Sequence, residues 1–184
     1  MTPLLAVSGS PSPKSRTALV IGHVLERLSL SGFDAAHLAV RDLPAADLLA
    51  GRTETPQIRS ALDRVAMADG VIVATPVYKA SYTGLLKGFL DLLPQDGLAG
   101  KTVLPLVTGG TLAHLLAIDY ALRPVLAALR ARHVVNGLFL LDSSIERTAD
   151  GRAALTAEAE LRLYEGIEEF VESLPVSPVV ARLA

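Results

Sequence analysis

Five short apolar runs alternate with longer stretches of helical periodicity, and this alternation constrains the fold more than any other feature of the 184-residue chain. The runs are Leu4–Val7, Ala35–Val40, Gly70–Thr75, Val103–Val107 and Val134–Leu141. Those beginning at Leu4, Gly70 and Val103 are nearly unbroken in Val, Leu, Ile and Ala, as expected of parallel strands covered on both faces. Ala35–Val40 is interrupted by His37 and is poorer in β-branched residues, which predicts an edge strand. Between and after the runs, Thr17–Leu30, Pro56–Met67, Thr83–Leu93, Leu112–Arg130 and Leu155–Leu174 carry apolar residues at spacings of three and four. That spacing predicts five helices, each with one buried face.

Strand followed by helix, repeated, specifies an α/β layered domain, because each parallel crossover is right-handed and covers one face of the sheet. At this length the expectation is a single domain over residues 1–184, a flavodoxin-like doubly wound sheet of five parallel strands in the order 2-1-3-4-5. Ligands of such sheets bind outside the carboxyl ends of the strands. The loops after the first, third and fourth strands therefore carry the functional argument.

Composition narrows the classes of partner. Hydrophobic residues make up 51% of the chain, enough for a sizeable core. Seventeen Lys and Arg against nineteen Asp and Glu give a net charge of −2, so there is no basic field to attract nucleic acid or an anionic membrane surface. The absence of cysteine excludes disulfides, thiolate metal sites and cysteine nucleophiles. The four histidines, His23, His37, His114 and His133, lack metal-ligand spacing, and no metal is expected. Met1–Gly9 does not read as a signal peptide. The longest uncharged run, Thr102–Ile118, is short for a membrane span and contains Pro105, Gly109 and Gly110. A soluble, cytoplasmic protein is the expectation.

The first loop, Ser8-Gly9-Ser10-Pro11-Ser12-Pro13-Lys14-Ser15-Arg16-Thr17, leads straight into a helix. Free N–H groups and the positive dipole end at a helix N-terminus favour a phosphate. Ser10, Ser15 and Thr17 offer hydroxyl donors, and Arg16 offers a charge-assisted contact. An ordinary N-cap and turn uses the same residue types. The loop matches neither G-x-x-x-x-G-K-[ST] nor G-x-G-x-x-G, so Walker-type and dinucleotide-fingerprint readings lose support. After the third strand, Pro76, Val77, Tyr78, Lys79 and Ser81 form an irregular segment with aromatic surface and exposed amides suited to a planar heterocycle, although Tyr78 and Tyr82 packing on the next helix is the plainer alternative. After the fourth strand, Thr108-Gly109-Gly110 permits close approach of a ring, or simply makes a turn. His114 and Tyr120 lie on the next predicted helix, where a helix surface, a packed core or a subunit contact accounts for them. No G-x-S-x-G elbow and no convincing carboxylate pair is present.

Taken together, Gly9-Ser10-Pro11, Ser15-Arg16, Ala74-Thr75-Pro76-Val77-Tyr78-Lys79-Ala80 and Leu106-Val107-Thr108-Gly109-Gly110-Thr111 resemble the NAD(P)H-dependent FMN reductase family. The likeness continues through Ala113–Ala117 and Asp119–Leu122, spans roughly Leu5 to Asp142, and is strongest toward flavin reductases of alkanesulfonate monooxygenase systems. It implies that Ser10, Ser15, Arg16 and Thr17 hold the FMN phosphate, while Pro76–Ser81 and Thr108–Gly110 border the isoalloxazine. It also implies a π-type insertion around Tyr120 at a dimer or tetramer interface, with Tyr120 and His114 as interface and flavin-exchange candidates.

The expected reaction is hydride transfer from reduced nicotinamide to FMN, with the cofactor supplying the chemistry and no catalytic side chain assigned. Reduced flavin would then pass to a flavin-dependent monooxygenase in sulfur metabolism. A tightly flavin-bound quinone or azo reductase would use the same crevice, and so would a non-enzymatic flavodoxin-like electron carrier. The last normally presents a strong charge face, which is missing here.

Overall fold

A computed structural model describes residues 3–175 of the chain; the expected single domain therefore has its ends, 1–2 and 176–184, outside the described residues. The central sheet is parallel. Strands β1 (Pro3–Ser8), β2 (Asp34–Ala39), β3 (Gly70–Pro76) and β4 (Thr102–Gly109) run in the order β2-β1-β3-β4. Two short pieces, β5 (His133–Val134) and β6 (Leu138–Leu141), both pair with β4 and share the fifth position. The order 2-1-3-4-5 is thus present, with β2 at an edge as His37 predicted.

The period-two alternation of the strands divides the core. Val71, Val73, Val103 and Val107 point to the face covered by α3 (Pro56–Met67), α4 (Gly84–Leu90) and α5 (Arg123–Ala128). Ile72, Ala74, Leu104 and Leu106 point to the face covered by α1 (Arg16–Leu30) and α6 (Ala157–Glu172). Phe89 and Phe170 are fully buried, one in each layer. Since β1 leads to α1 on one face and β3 leads to α4 on the other, a crevice opens between the carboxyl ends of β1 and β3.

Several predicted boundaries are corrected. Val134–Leu141 is not one strand. It breaks because the backbone at Gly137 lies so close to Ile118 that a Cβ there would sit 2.5 Å from its side chain, while Arg123 takes the carbonyls of Val134 and Val135. Leu112–Arg130 is not one helix. A 3₁₀ turn at Leu112–His114 and a π-type segment at Ile118–Leu122 precede α5. Pro124 has no N–H and its ring would strike the carbonyl four residues back; the Arg123 N–H reaches Ile118 O, a five-residue step that widens the helix just before the proline. Val40 begins a 3₁₀ turn rather than ending β2, and the helix after Thr83 stops at Leu90 rather than Leu93. The last helix starts at Ala157, because Leu155 belongs to a small antiparallel hairpin of β7 (Ile145–Arg147) and β8 (Ala153–Leu155). That hairpin and α2 (Ala45–Ala50) were not expected.

Candidate active site

Three loops meet above the crevice, and the bonds between them are specific. The Gly9 N–H donates to Ala74 O at 2.8 Å, and the Thr83 hydroxyl donates to Gly9 O at 2.5 Å. The first joins the ends of β1 and β3, and the second joins the end of β1 to the start of α4. A Cβ on Gly9 would lie 2.4 Å from Leu86 Cβ, so only glycine allows this approach. The Val77 N–H donates to Thr108 O at 2.9 Å, joining the ends of β3 and β4. Beneath them all, the hydroxyls of Thr17 and Thr108 share a buried hydrogen bond of 2.7 Å.

The first loop is shaped as an anion cradle. Ser15 is the N-cap of α1, its Oγ accepting from the Ala18 N–H at 3.0 Å, which leaves the hydroxyl proton free to be donated. The N–H groups of Arg16 and Thr17 open the helix and have no intrahelical acceptor. Ser10 Oγ accepts from the Ser12 N–H, and Ser12 Oγ from the Lys14 N–H. Arg41 holds the loop from behind by donating to Ser12 O at 2.6 Å. Arg16 and Lys14 are exposed at the rim. Further back, Ser8 Oγ lies 2.8 Å from His37 Nε2. Burial, followed by the Arg41 guanidinium, holds His37 below the ordinary imidazole value, against the opposing pull of Asp42.

The second loop is a tight reversal. Tyr78 and Ser81 exchange backbone hydrogen bonds of 2.8 and 3.2 Å around Lys79 and Ala80, whose φ angles are 51° and 63°. Two successive side-chain-bearing residues in the left-handed region are costly, roughly 1–2 kcal/mol each, and such strain concentrates at ligand-holding turns. The turn leaves Tyr78 half exposed, whereas Tyr82 packs against the core as the plainer alternative has it. In the third loop, Gly109 is buried under Phe139, 2.8 Å from where its Cβ would be, while Gly110 is exposed beyond the strand.

A cleft of about 150 Å³ gathers Ser10, Ser15, Arg16, Thr17, Pro76, Tyr78 and Thr108. Val77, Lys79, Ser81, Gly109 and Gly110 border it through their loops without lining it. His114 and Tyr120 are not part of it. His114 ends the 3₁₀ turn, and Tyr120, 80% exposed on the π-type segment, is not a core residue. Ser12, Lys14 and Asp142 also line the cleft and were not singled out from the sequence. Asp142 directly follows the fifth apolar run, so its position at a strand end was the available signal. A larger concavity, about 860 Å³, lies between α1 and the β7–β8 hairpin. It touches the first loop through Pro13 and Ser15, shares only Ser15 with the smaller cleft, and its Arg27 and Arg152 are engaged by Glu160 and Asp150.

The donor set fits a flavin mononucleotide: hydroxyls, helix amides and a guanidinium for the phosphate, and partly exposed loop at Pro76–Tyr78 with exposed backbone at Gly110 for the ring. Residues 2–146 match the family model described as NADPH-dependent FMN reductase. An FMN reductase (NADPH) of Pseudomonas putida is 43% identical, with 96% of this chain and 93% of the relative covered. The Escherichia coli protein of the same name is 42% identical over 93% and 89%. The crystal structure of an NADH:FMN oxidoreductase in its apo form superposes with a TM-score of 0.88 at 44% identity, covering 97% of this chain and 93% of that one. With the cradle, the crevice and these relatives in agreement, the chain belongs to the NADPH-dependent FMN reductase family.

Proposed function

We propose that the protein is an NAD(P)H:FMN oxidoreductase that releases reduced flavin. The observation that carries this reading is the tying of the three loops through Gly9, Val77 and the Thr17–Thr108 pair into one cradle at the β1/β3 crevice. Bound FMN supplies the redox chemistry, accepting hydride from the nicotinamide. The chain's own part is to bind and orient. Ser10, Ser15, Thr17 and the first-turn amides of α1 hold the phosphate, with Arg16 closing over it. Pro76, Val77, Tyr78, Lys79, Ser81, Thr108, Gly109 and Gly110 carry the ring, largely through backbone groups.

The cleft is smaller than the roughly 300 Å³ that encloses a drug-sized ligand. It has room for the phosphate and the chain attached to it, so the Tyr78 turn and Gly110 would hold the ring outside the enclosed part of the cleft, where nicotinamide could reach it. That openness supports release of reduced flavin to a flavin-dependent monooxygenase, a role of the kind sulfur metabolism uses. Relatives 42–44% identical carry both NADPH and NADH in their names, which supports reduced nicotinamides as a class of donor.

The exposed apolar face of Leu112, Leu115, Leu116 and Tyr120 supports a homo-oligomer, dimer or tetramer, with Tyr120 and His114 at the contact that governs flavin exchange. No helix among the described residues is long and apolar enough to cross a membrane. A cytoplasmic location belongs to the same proposal, where reduced nicotinamide is at hand. A steady-state assay decides the central claim: oxidation of NADPH or NADH should rise with added FMN and saturate. No FMN-dependent oxidation with either donor overturns it.

A further inference from the structure

The geometry points to Asp142 as the residue that reads the polyhydroxylated chain between flavin ring and phosphate, an inference that rests on the function proposed above. Asp142 follows the last residue of β6, where Leu141 pairs with Gly109 of β4, so its carboxylate stands beside the carboxyl end of the strand that carries the third loop. Its Oδ2 lies 4.0 Å from the point a Cβ on Gly110 would occupy. The bare backbone at Gly110 therefore leaves the space in front of the carboxylate clear.

The chemistry of the cleft makes this group anomalous. Its other polar lining, Ser10, Ser12, Ser15, Thr17, Lys14 and Arg16, supplies donors, as a phosphate requires. Asp142 is the one carboxylate among those residues, and an ionised carboxylate only accepts hydrogen bonds. Among the described residues its side chain has no hydrogen-bond or ion-pair partner, so it is not there to hold the fold. Next to a phosphate alone such a group would be repulsive. A ligand with hydroxyl donors adjoining its phosphate resolves the conflict, because the hydroxyls turn to Asp142 while the phosphate turns to the α1 N-terminus. FMN has that order of groups: ring, three hydroxyls, phosphate. The cleft thus selects a polyol phosphate over a bare anion, and Asp142 determines that selectivity.

The test compares FMN with the isoalloxazine whose N10 chain is a plain phosphopentyl group, which keeps ring and phosphate and lacks the hydroxyls. Binding of each is followed by quenching of flavin fluorescence in wild type, Asp142→Ala and Asp142→Asn. Wild type should bind FMN at least tenfold more tightly than the analogue, the range expected for hydrogen bonds to a charged acceptor. Asp142→Ala should bind the two equally, by losing FMN affinity and, with the carboxylate's repulsion gone, by gaining affinity for the analogue, and Asp142→Asn, which keeps an acceptor oxygen, should recover part of the preference. Thermal unfolding without ligand should be unchanged in both variants. The inference is overturned if Asp142→Ala binds FMN like wild type, or if it loses FMN and the analogue by the same factor. Failure of wild type to bind FMN at all would instead overturn the proposed function.

Discussion

The hydroxyls of Thr17 and Thr108, 91 residues apart in sequence, meet at 2.7 Å beneath the cleft formed by the first loop, and both side chains are almost completely buried. One belongs to the first turn of α1 and the other to the end of β4, so this single bond joins the first loop to the third. Each residue is only 1% exposed, so a hydroxyl that loses its partner is left with whatever the narrow cleft admits. Thr108→Val should therefore destabilise the protein by about 1–3 kcal/mol, the cost of an orphaned buried hydroxyl. The double variant Thr17→Val/Thr108→Val, with both polar groups gone, should lose less than the sum of the singles. Urea unfolding of the four proteins measures this; strict additivity would mean that the two hydroxyls do not depend on each other.

Arg16 stands at the mouth of the same cradle, exposed, with no ion-pair partner among the described residues. Its guanidinium has no fold-stabilising contact to lose, which makes substitution a clean probe. Arg16→Ala should weaken FMN binding about tenfold or more, as loss of a hydrogen bond to a charged group does, and should leave riboflavin binding nearly unchanged. Fluorescence titration with both flavins checks it. An equal loss for the two would remove Arg16 from the phosphate.

His37 ties β2 to β1 through Ser8, and its imidazole is depressed by burial and by Arg41. In the unfolded chain it takes up a proton near pH 6.5. The folded protein resists that proton until lower pH, so between the two values the unfolded state binds more protons and stability rises with pH. The contribution of neutral His37 is complete above pH 6.5, declines as pH falls through that value toward the depressed folded one, and is constant below. Melting temperatures of wild type and His37→Gln between pH 8 and pH 5 should show wild type losing more over that interval. Parallel curves would show that His37 is not the group responsible.

What the sequence discloses follows from where the free energy lies. The runs at Leu4, Gly70 and Val103 are legible because both faces of those strands are buried, so their composition has no other explanation. The β7–β8 hairpin and α2 are short and largely exposed, so little hydrophobic pattern is required of them. The break between β5 and β6 depends on Gly137 against Ile118 and on Asn136 bonded to Glu169, contacts among three distant segments that no local pattern encodes. Pro124, by contrast, was a visible signal that a helix over Leu112–Arg130 could not run straight. The strand-to-helix turn that brings Ser10, Ser15, Arg16 and Thr17 to one cleft was legible from its hydroxyls and glycine. Asp142 was not, because one carboxylate after a strand is the commonest kind of surface residue until the fold places it in a cleft of donors.

Leu112, Leu115, Leu116 and Tyr120 are spaced three, four and eight residues from the first and are 56%, 47%, 57% and 80% exposed. A single exposed leucine such as Leu49, 87% exposed on α2, needs no explanation, whereas four exposed apolar side chains within nine residues are the kind of cluster that marks an interaction site. Within the π-type segment Ile118 and Leu122 are buried and Tyr120 is exposed. If a second copy of the chain covers this face, a charge within it must be buried unpaired on association, at a cost of several kcal/mol. Sedimentation velocity should then find wild type as a dimer or larger assembly and Leu116→Glu at half that mass or less, while Leu49→Glu keeps the wild-type mass. A monomeric wild type, or identical masses for all three, would show that this face is not where copies meet.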